Sequence, residues 1–173
     1  MNVKIETDRL LIRPVTVNDA EAIFKWASDP DVTKYMIYGT HPSVEHTRQW
    51  LETLDINDED SYDLGFVYKE TGELVGMGGI VYRKEDDNWV VGYNLRKDYW
   101  GRGLVPEAIN AIIDHVRKKR EVKSIVGQFA DENVKSKRVM EKLGMHYVAD
   151  HEYEKMDKSA KFKSKIYRKE FED

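Results

Sequence analysis

The stretch VGYNLRKDYWGRGLVPEAI, residues 91–109, joins a strand-like run to a helix-like run through two glycines that flank an arginine. On the helical side, Val105, Ala108, Ile109, Ile112 and Val116 recur at helical spacing between Leu104 and Arg120. Pro106 sits in the first turn, where its missing N–H costs nothing, and Lys118, Lys119 and Arg120 close the last turn, where cations suit the helix dipole. SIVGQFA, residues 124–130, then reads as a short strand. Strand, glycine loop, helix and strand make a crossover, so the two strands should run parallel with the helix packed on their sheet.

Upstream of that crossover, RLLIRPV (9–15) reads as a strand with Leu10 and Ile12 on one face. A helix follows from Thr16, with Asp19 three residues on as its capping partner and Ala20, Ile23, Phe24 and Ala27 as its apolar stripe. A second helix fits SVEHTRQWLETL (43–54), capped by Ser43, with Thr47, Trp50, Leu51 and Leu54 on one side. Tyr62, Leu64, Phe66 and Tyr68 alternate, ETGE turns the chain, LVGMGGIVYR returns, KEDDN turns it again and WVVGYNLR runs forward. These three runs form an antiparallel meander. Downstream, NVKSKRVMEKL (133–143) is a final helix stopped by Gly144, and HYVADHEYE and KFKSKIYRKEF close the chain as two strands. The alternating lysines of KFKSKIYRK suit a charge-protected edge. The expected class is α+β: a mixed, mostly antiparallel sheet with helices on both faces, with residues 1–173 as a single domain.

At 173 residues, a chain of this kind buries roughly 70% of the surface it exposes when unfolded. Charged residues make up 35% against 40% hydrophobic, and no run approaches the roughly 18 apolar residues of a membrane span. The segment MNVKIETDRLLIRP has charge from Lys4 onward and no apolar signal region. A soluble, cytoplasmic chain with no membrane partner is the expectation. The absence of cysteine removes disulfides, thiolate metal sites and any acyl-cysteine mechanism. The histidines form no helical metal-binding pair, so no metal is assigned. A net charge of −4 argues against a direct nucleic-acid partner.

The glycine loop opens a helix, whose N-terminus carries about half a unit of positive charge and unpaired N–H groups. Amides from Gly101 to Val105 can therefore converge on a phosphate, with Arg102 adding a cation. Two glycines alone fit a tight ligand-free turn equally well. A dinucleotide fingerprint is partly matched by Gly101, Gly103 and the later Asp131, but Pro106 occupies the third glycine position and an antiparallel meander precedes the loop. No Gly-Lys-Ser/Thr loop and no Gly-x-Ser-x-Gly elbow occurs.

Taken together, ETDRLLIRPVTVNDAEAIFKW, VGYNLRKDYWGRGLVPEAI, ENVKSKRVMEKLGM and the closing strand pair resemble the Gcn5-related N-acetyltransferases (GNAT), in the branch of the ribosomal-protein acetyltransferases RimJ and RimL. The resemblance covers nearly the whole chain. It implies acetyl-CoA as co-substrate and a strand that splays from its neighbour to admit the pantetheine arm. Asn94, Leu95 and Arg96 would border that arm, and Gly101, Arg102, Gly103, Leu104 and Val105 would cradle the pyrophosphate. Asn133 and Ser136, three apart on one helical face, match the family's Asn-x-x-Ser beside the sulfur. Without the family, they read as a helix-entry residue and an exposed serine.

The implied chemistry is attack of a neutral amine on the thioester carbonyl, formation of an oxyanion and departure of a thiolate. A backbone N–H near Leu95 would stabilise the oxyanion, and Ser136 would either protonate the sulfur or simply hydrogen-bond the cofactor. The chain departs from the family at Val90, where many relatives carry a glutamate base, and at Met140, where other branches carry an acidic tyrosine. Trp100 and Val105 also replace the usual Gln or Arg and Gly or Ala.

The missing glutamate bears on the acceptor. An α-amine of pKa near 8 is about one-tenth neutral at pH 7, whereas a lysine amine is neutral in only about one molecule in 2,500. The leading acceptor is therefore a protein or peptide N-terminus, with a small or aminoglycoside-like amine second. The rivals from other classes are a non-catalytic acyl-CoA-binding module and a nucleotide-dependent oxidoreductase. Trp26, Tyr35, Tyr38, Trp50 and Tyr93 are candidate pocket aromatics that suit a core equally well, while His46, Asp86 and Asp87 read as solvated surface. A homodimer is the family-based expectation.

Overall fold

The computed structural model describes residues 2–172. Eight strands form one sheet: β1 (Ile5–Glu6), β2 (Leu10–Arg13), β3 (Ser61–Tyr68), β4 (Glu73–Arg83), β5 (Asn88–Leu95), β6 (Ser124–Ala130), β7 (His146–Glu154) and β8 (Lys161–Glu170). Their order across the sheet is β1-β2-β3-β4-β5-β6-β8-β7. Every neighbouring pair is antiparallel except β5 and β6, which are parallel as the crossover requires. The five helices are α1 (Ala20–Ala27), α2 (Pro30–Thr33), α3 (Val44–Glu52), α4 (Leu104–Arg117) and α5 (Val134–Lys142).

The helices divide between the two faces because side chains alternate along each strand. On one face, Ile80, Trp89, Val91 and Leu95 pack against Leu104, Ala108, Ile109 and Ile112 of α4 and Met140 of α5. On the other, Leu74 and Met77 pack with Ile23, Trp26 and Ala27 of α1 and Leu51 of α3. The expected capping box exists, but on a single 3-10 turn, Val17–Asp19, that leads into α1: Thr16 accepts from Asn18 N–H while Asp19 accepts from Thr16 N–H at 2.8 Å. Trp26 rather than Phe24 fills the buried side of α1.

The sheet also corrects the sequence reading. The lysine-rich β8 is not an edge: it lies between β6 and β7, and its Ser164 and Tyr167 are buried. The edge is β7, which is exposed over most of its length and carries His146, Asp150, Glu152 and Glu154. Lys163 and Lys165 share a face with Tyr167, which packs on Phe129 in the core, so the lysine alternation marks neither an edge nor an outer face. α4 ends at Arg117 rather than Arg120, whose N–H turns back to the Val116 carbonyl. The four-residue α2, started by Pro30 and capped by Asp29, has too few residues for a periodic signal.

Candidate active site

β5 and β6 are paired only at Trp89↔Ile125 and Val90↔Val126, and beyond Val90 they part. Arg96 N–H is given to the Val75 carbonyl of β4 at 2.8 Å. Hydrogen-bonding direction alternates along an antiparallel ladder, so the N–H groups of Tyr93 and Leu95 point the opposite way, into the gap. A cleft of about 840 Å³ fills that gap. Its walls include Tyr93, Leu95 and Leu104 from one face of the sheet and Gly92, Asn94 and Tyr35 from the other, so the cleft passes through the sheet.

The glycine loop closes one end. Gly101 has φ 78° and Gly103, the residue before α4, has φ 74° and ψ 17°, a left-handed conformation that costs other residues about 1–2 kcal/mol. No side chain caps α4, so the amides of its first turn are left for a ligand. The loop is braced from outside by Thr7, Arg9 and Glu107, to which the sequence reading gave no role. Arg9 Nη1 holds the Arg102 carbonyl at 2.8 Å, and Arg9 Nε pairs with Glu107 at 2.8 Å. Thr7 Oγ1 and Arg9 N–H also donate to Glu107. Burial alone pushes the Glu107 carboxyl up, but these hydrogen bonds and the Arg9 charge outweigh it and leave the pKa below the ordinary range.

α5 forms the facing wall. Asn133 is its N-cap: Oδ1 accepts from Ser136 N–H at 3.3 Å and Nδ2 donates to Ser136 Oγ at 3.1 Å. With Oγ accepting from Asn133, the Ser136 O–H is left to donate elsewhere. The Tyr93 phenol crosses the gap to the Ser136 carbonyl at 3.4 Å, and burial pushes its pKa up to about 12. Lys135, Arg138 and Lys142 line the cleft from one side of α5, at spacings of three and four. At the far lip, Tyr153 O–H donates to the Tyr35 carbonyl at 2.5 Å and Lys155 Nζ to the carbonyls of Thr33 and Met36. Asp31 of α2 pairs with Lys97 at 2.5 Å.

Of the residues selected from sequence, Asn94, Leu95, Gly101, Gly103, Leu104, Val105, Asn133 and Ser136 line this one cleft. Arg96 and Arg102 do not. The Arg96 guanidinium is drawn to Asp98 and Glu73 at 2.7 and 2.9 Å, and its backbone N–H is spent on β4. The Arg102 guanidinium lies over the Tyr99 ring at 4.7 Å and donates to the Asp98 carbonyl at 3.2 Å. The cations lining the cleft are instead Lys135, Arg138 and Lys142 of α5, whose stripe was legible in VKSKRVMEK, together with Lys34 and the Asp31-paired Lys97. The bulk of Val105 lies in the buried cluster around α4. Trp100 donates its indole N–H to the Leu95 carbonyl at 2.8 Å, with Lys135 Nζ 3.8 Å from its ring centroid. Among the candidate aromatics, Tyr35 and Tyr93 line the cleft, Trp26 is buried with α1, Trp50 packs beside that cluster and Tyr38 is exposed.

The family model described as the acetyltransferase (GNAT) domain matches residues 9–146. The chain belongs to the GNAT family. A relative named uncharacterized N-acetyltransferase p20, from Bacillus licheniformis, is 29% identical over 140 residues, 79% of each chain. The crystal structure of a GNAT-family acetyltransferase from Bacillus anthracis superposes with a TM-score of 0.80 at 26% identity, over 97% of this chain and 98% of that one. The ribosomal-protein-S5-alanine acetyltransferase of Vibrio fischeri shares the fold with a TM-score of 0.73 at 21% identity, over 99% and 98% of the two chains.

This GNAT enzyme is an acetyltransferase that uses acetyl-CoA and an amine acceptor. Its residues fit that donor: the gap-facing N–H groups, the uncapped start of α4 and the Asn94 Oδ1, which is buried without a hydrogen-bond partner, all offer polar contacts to an occupant of the cleft. Among the described residues, no helix is long and apolar enough to cross a membrane, and no cluster of three metal-ligating side chains occurs.

Proposed function

We propose that this enzyme transfers the acetyl group of acetyl-CoA directly to the N-terminal α-amine of a protein or peptide. The observation that carries the reading is the open β5 edge facing the N-terminus of α5 across a cleft that runs through the sheet. Acetyl-CoA supplies an activated acetyl group whose thiolate is a good leaving group. The amides of 101–105 hold its pyrophosphate, with Lys135 and Arg138 adding charge, and Asn94, Leu95 and the β5 edge border the pantetheine arm. The Leu95 N–H donates to the carbonyl oxygen as negative charge develops there, an effect worth several kcal/mol for one preorganised donor, roughly 3–4 by comparison with oxyanion holes. Ser136, oriented by Asn133, hands its proton to the departing sulfur, and the positive end of α5 favours the thiolate.

The N-terminal acceptor is supported by the larger neutral fraction of an α-amine at pH 7 and by Val90 standing where many relatives carry a base. The fold neighbour that acts on the alanine of ribosomal protein S5 is consistent with it. The test follows free thiol while the protein is incubated with acetyl-CoA and a pool of tetrapeptides and small amines, including an aminoglycoside. Release with free-N-terminal peptides and none with their N-acetylated forms is expected. Release with the small amines alone would overturn the acceptor class. Stabilisation by NAD in place of acetyl-CoA would overturn the site.

A further inference from the structure

The sheet carries an unpaired carboxylate, Asp63, two strands in from the open edge of β5 that borders the cleft. Pairing register aligns Asp63 of β3 with Gly79 of β4 and Gly79 with Gly92 of β5. The three therefore form one row on the face that also bears Met77 and Asn94. Gly79 has φ 153°, and a Cβ there would stand 1.7 Å from the Tyr62 carbonyl oxygen, so this position accepts only glycine. A Cβ on Gly92 would meet nothing within 4 Å. The row is thus a bare backbone floor, about two strand spacings or 9.6 Å long, running from Asp63 to the open edge of β5. Met77 in the next row belongs to the α1 and α3 cluster, whereas Asp63 is exposed and makes no side-chain hydrogen bond or ion pair among the described residues.

We propose that Asp63 is the carboxylate that receives the acceptor amine and takes its proton. This assignment rests on the reading of the β5–β6 gap as the acetyl-CoA cleft. The acceptor's ammonium lies over Gly79 and Gly92, and Asp63 accepts one proton to give the neutral amine and a carboxylic acid. The amine lone pair then forms the new C–N bond at the thioester carbon, and the C–S bond breaks with its electron pair on sulfur. Ser136 gives its proton to the sulfur and regains the second proton lost from nitrogen, so the thiol leaves and Asp63 returns its proton to solvent. The protein packed around Asp63 pushes its carboxyl up to about 6 even though the residue still reaches solvent, and no charged side chain on a neighbouring element contributes. The group is ionised at neutral pH yet more basic than an ordinary aspartate. It can replace the glutamate absent at Val90, from a different strand.

The test uses the full chain with coenzyme A bound and glycinamide as the probe amine. A ¹³C titration of the Asp63 carboxyl should give a midpoint near 6, lowered by glycinamide and unmoved by N-acetylglycinamide. Asp63→Asn should cut acetyl transfer to glycinamide by 100-fold or more and remove the acidic limb of the kcat/KM profile near pH 6, with coenzyme A affinity within twofold of wild type. Gly92→Val, which fills open space without a clash, should abolish the glycinamide response while leaving the midpoint near 6. A carboxyl indifferent to glycinamide, or an Asp63→Asn enzyme that keeps the wild-type rate and acidic limb, would overturn the assignment. A wild type that coenzyme A does not stabilise removes the cleft reading, and the assignment with it.

Discussion

Replacing Gly103 by alanine separates the strain of the glycine loop from its role as a ligand cradle. Gly103 sits at φ 74° and ψ 17°. An added Cβ would lie 3.7 Å from Arg9 Nη2, an ordinary contact, so the cost is conformational and amounts to about 1–2 kcal/mol. At about 2–4 °C per kcal/mol for a chain of this size, Tm should fall by roughly 2–8 °C. If the residue relaxes to negative φ instead, the adjoining peptide turns and its N–H leaves the cradle. Loss of one charge-assisted hydrogen bond, about 1.5–3 kcal/mol, weakens acetyl-CoA binding roughly 10- to 100-fold. Thermal unfolding of the free protein and calorimetric titration with acetyl-CoA measure the two effects separately. Unchanged acetyl-CoA affinity in a variant whose residue 103 has moved to negative φ, as read from its amide and Cα chemical shifts, would show that the loop is only a turn.

Asn133→Ala should cost about 1 kcal/mol of stability as a lost N-cap and should lower kcat more than it raises the KM for acetyl-CoA, because Ser136 loses the donor that orients it; steady-state kinetics beside a melting curve check both. Ser136→Ala should slow transfer, and the Tyr93→Phe variant, compared in the same assay, shows whether the phenol near the Ser136 carbonyl shares in protonating the sulfur. Glu107→Gln tests the brace. Glu107 has its pKa depressed in the folded state, so its contribution is present above the unfolded value near 4.5 and is lost as pH falls through the folded value. The gap in Tm between wild type and Glu107→Gln should therefore be widest at neutral pH and close below about pH 4.5, and a gap independent of pH would contradict the pairing with Arg9.

The strand and helix order was readable because each element has a clean period and a cap: Thr16 with Asp19, Ser43, Asn133 and Gly144 all end or begin helices where the sequence places them. The parallel crossover after Arg96 followed from the glycine loop and α4. What periodicity could not supply was lateral position. β8 has the lysine alternation of an edge strand, yet β7 returns outside it, since pairing order depends on contacts distant in sequence. The same limit applied to the site. Motif residues such as Gly103 and Ser136 were identifiable one by one, but Arg9 and Glu107 meet across 98 positions. Asp63 carries no signal in the sequence beyond its place between Tyr62 and Leu64, and only the register Asp63↔Gly79↔Gly92 aligns it with a bare floor that ends at the open edge of β5. The guanidinium groups of Arg96 and Arg102 show the same limit, because nearby Asp98, Glu73 and Tyr99 hold them away from the cleft in ways no motif states.

The central claim is that the free edge of β5 and the amides of the glycine loop hold acetyl-CoA in the gap left by β6. A ¹⁵N-resolved amide titration with acetyl-CoA tests it most directly. The account predicts large shifts for the gap-facing N–H groups of Tyr93 and Leu95 and for residues 101–105, with a smaller response from Arg96, whose N–H is held by Val75. Saturating acetyl-CoA that leaves the Tyr93, Leu95 and Gly103 amides in place, while shifting others such as those around Tyr82 and Arg120, would contradict it.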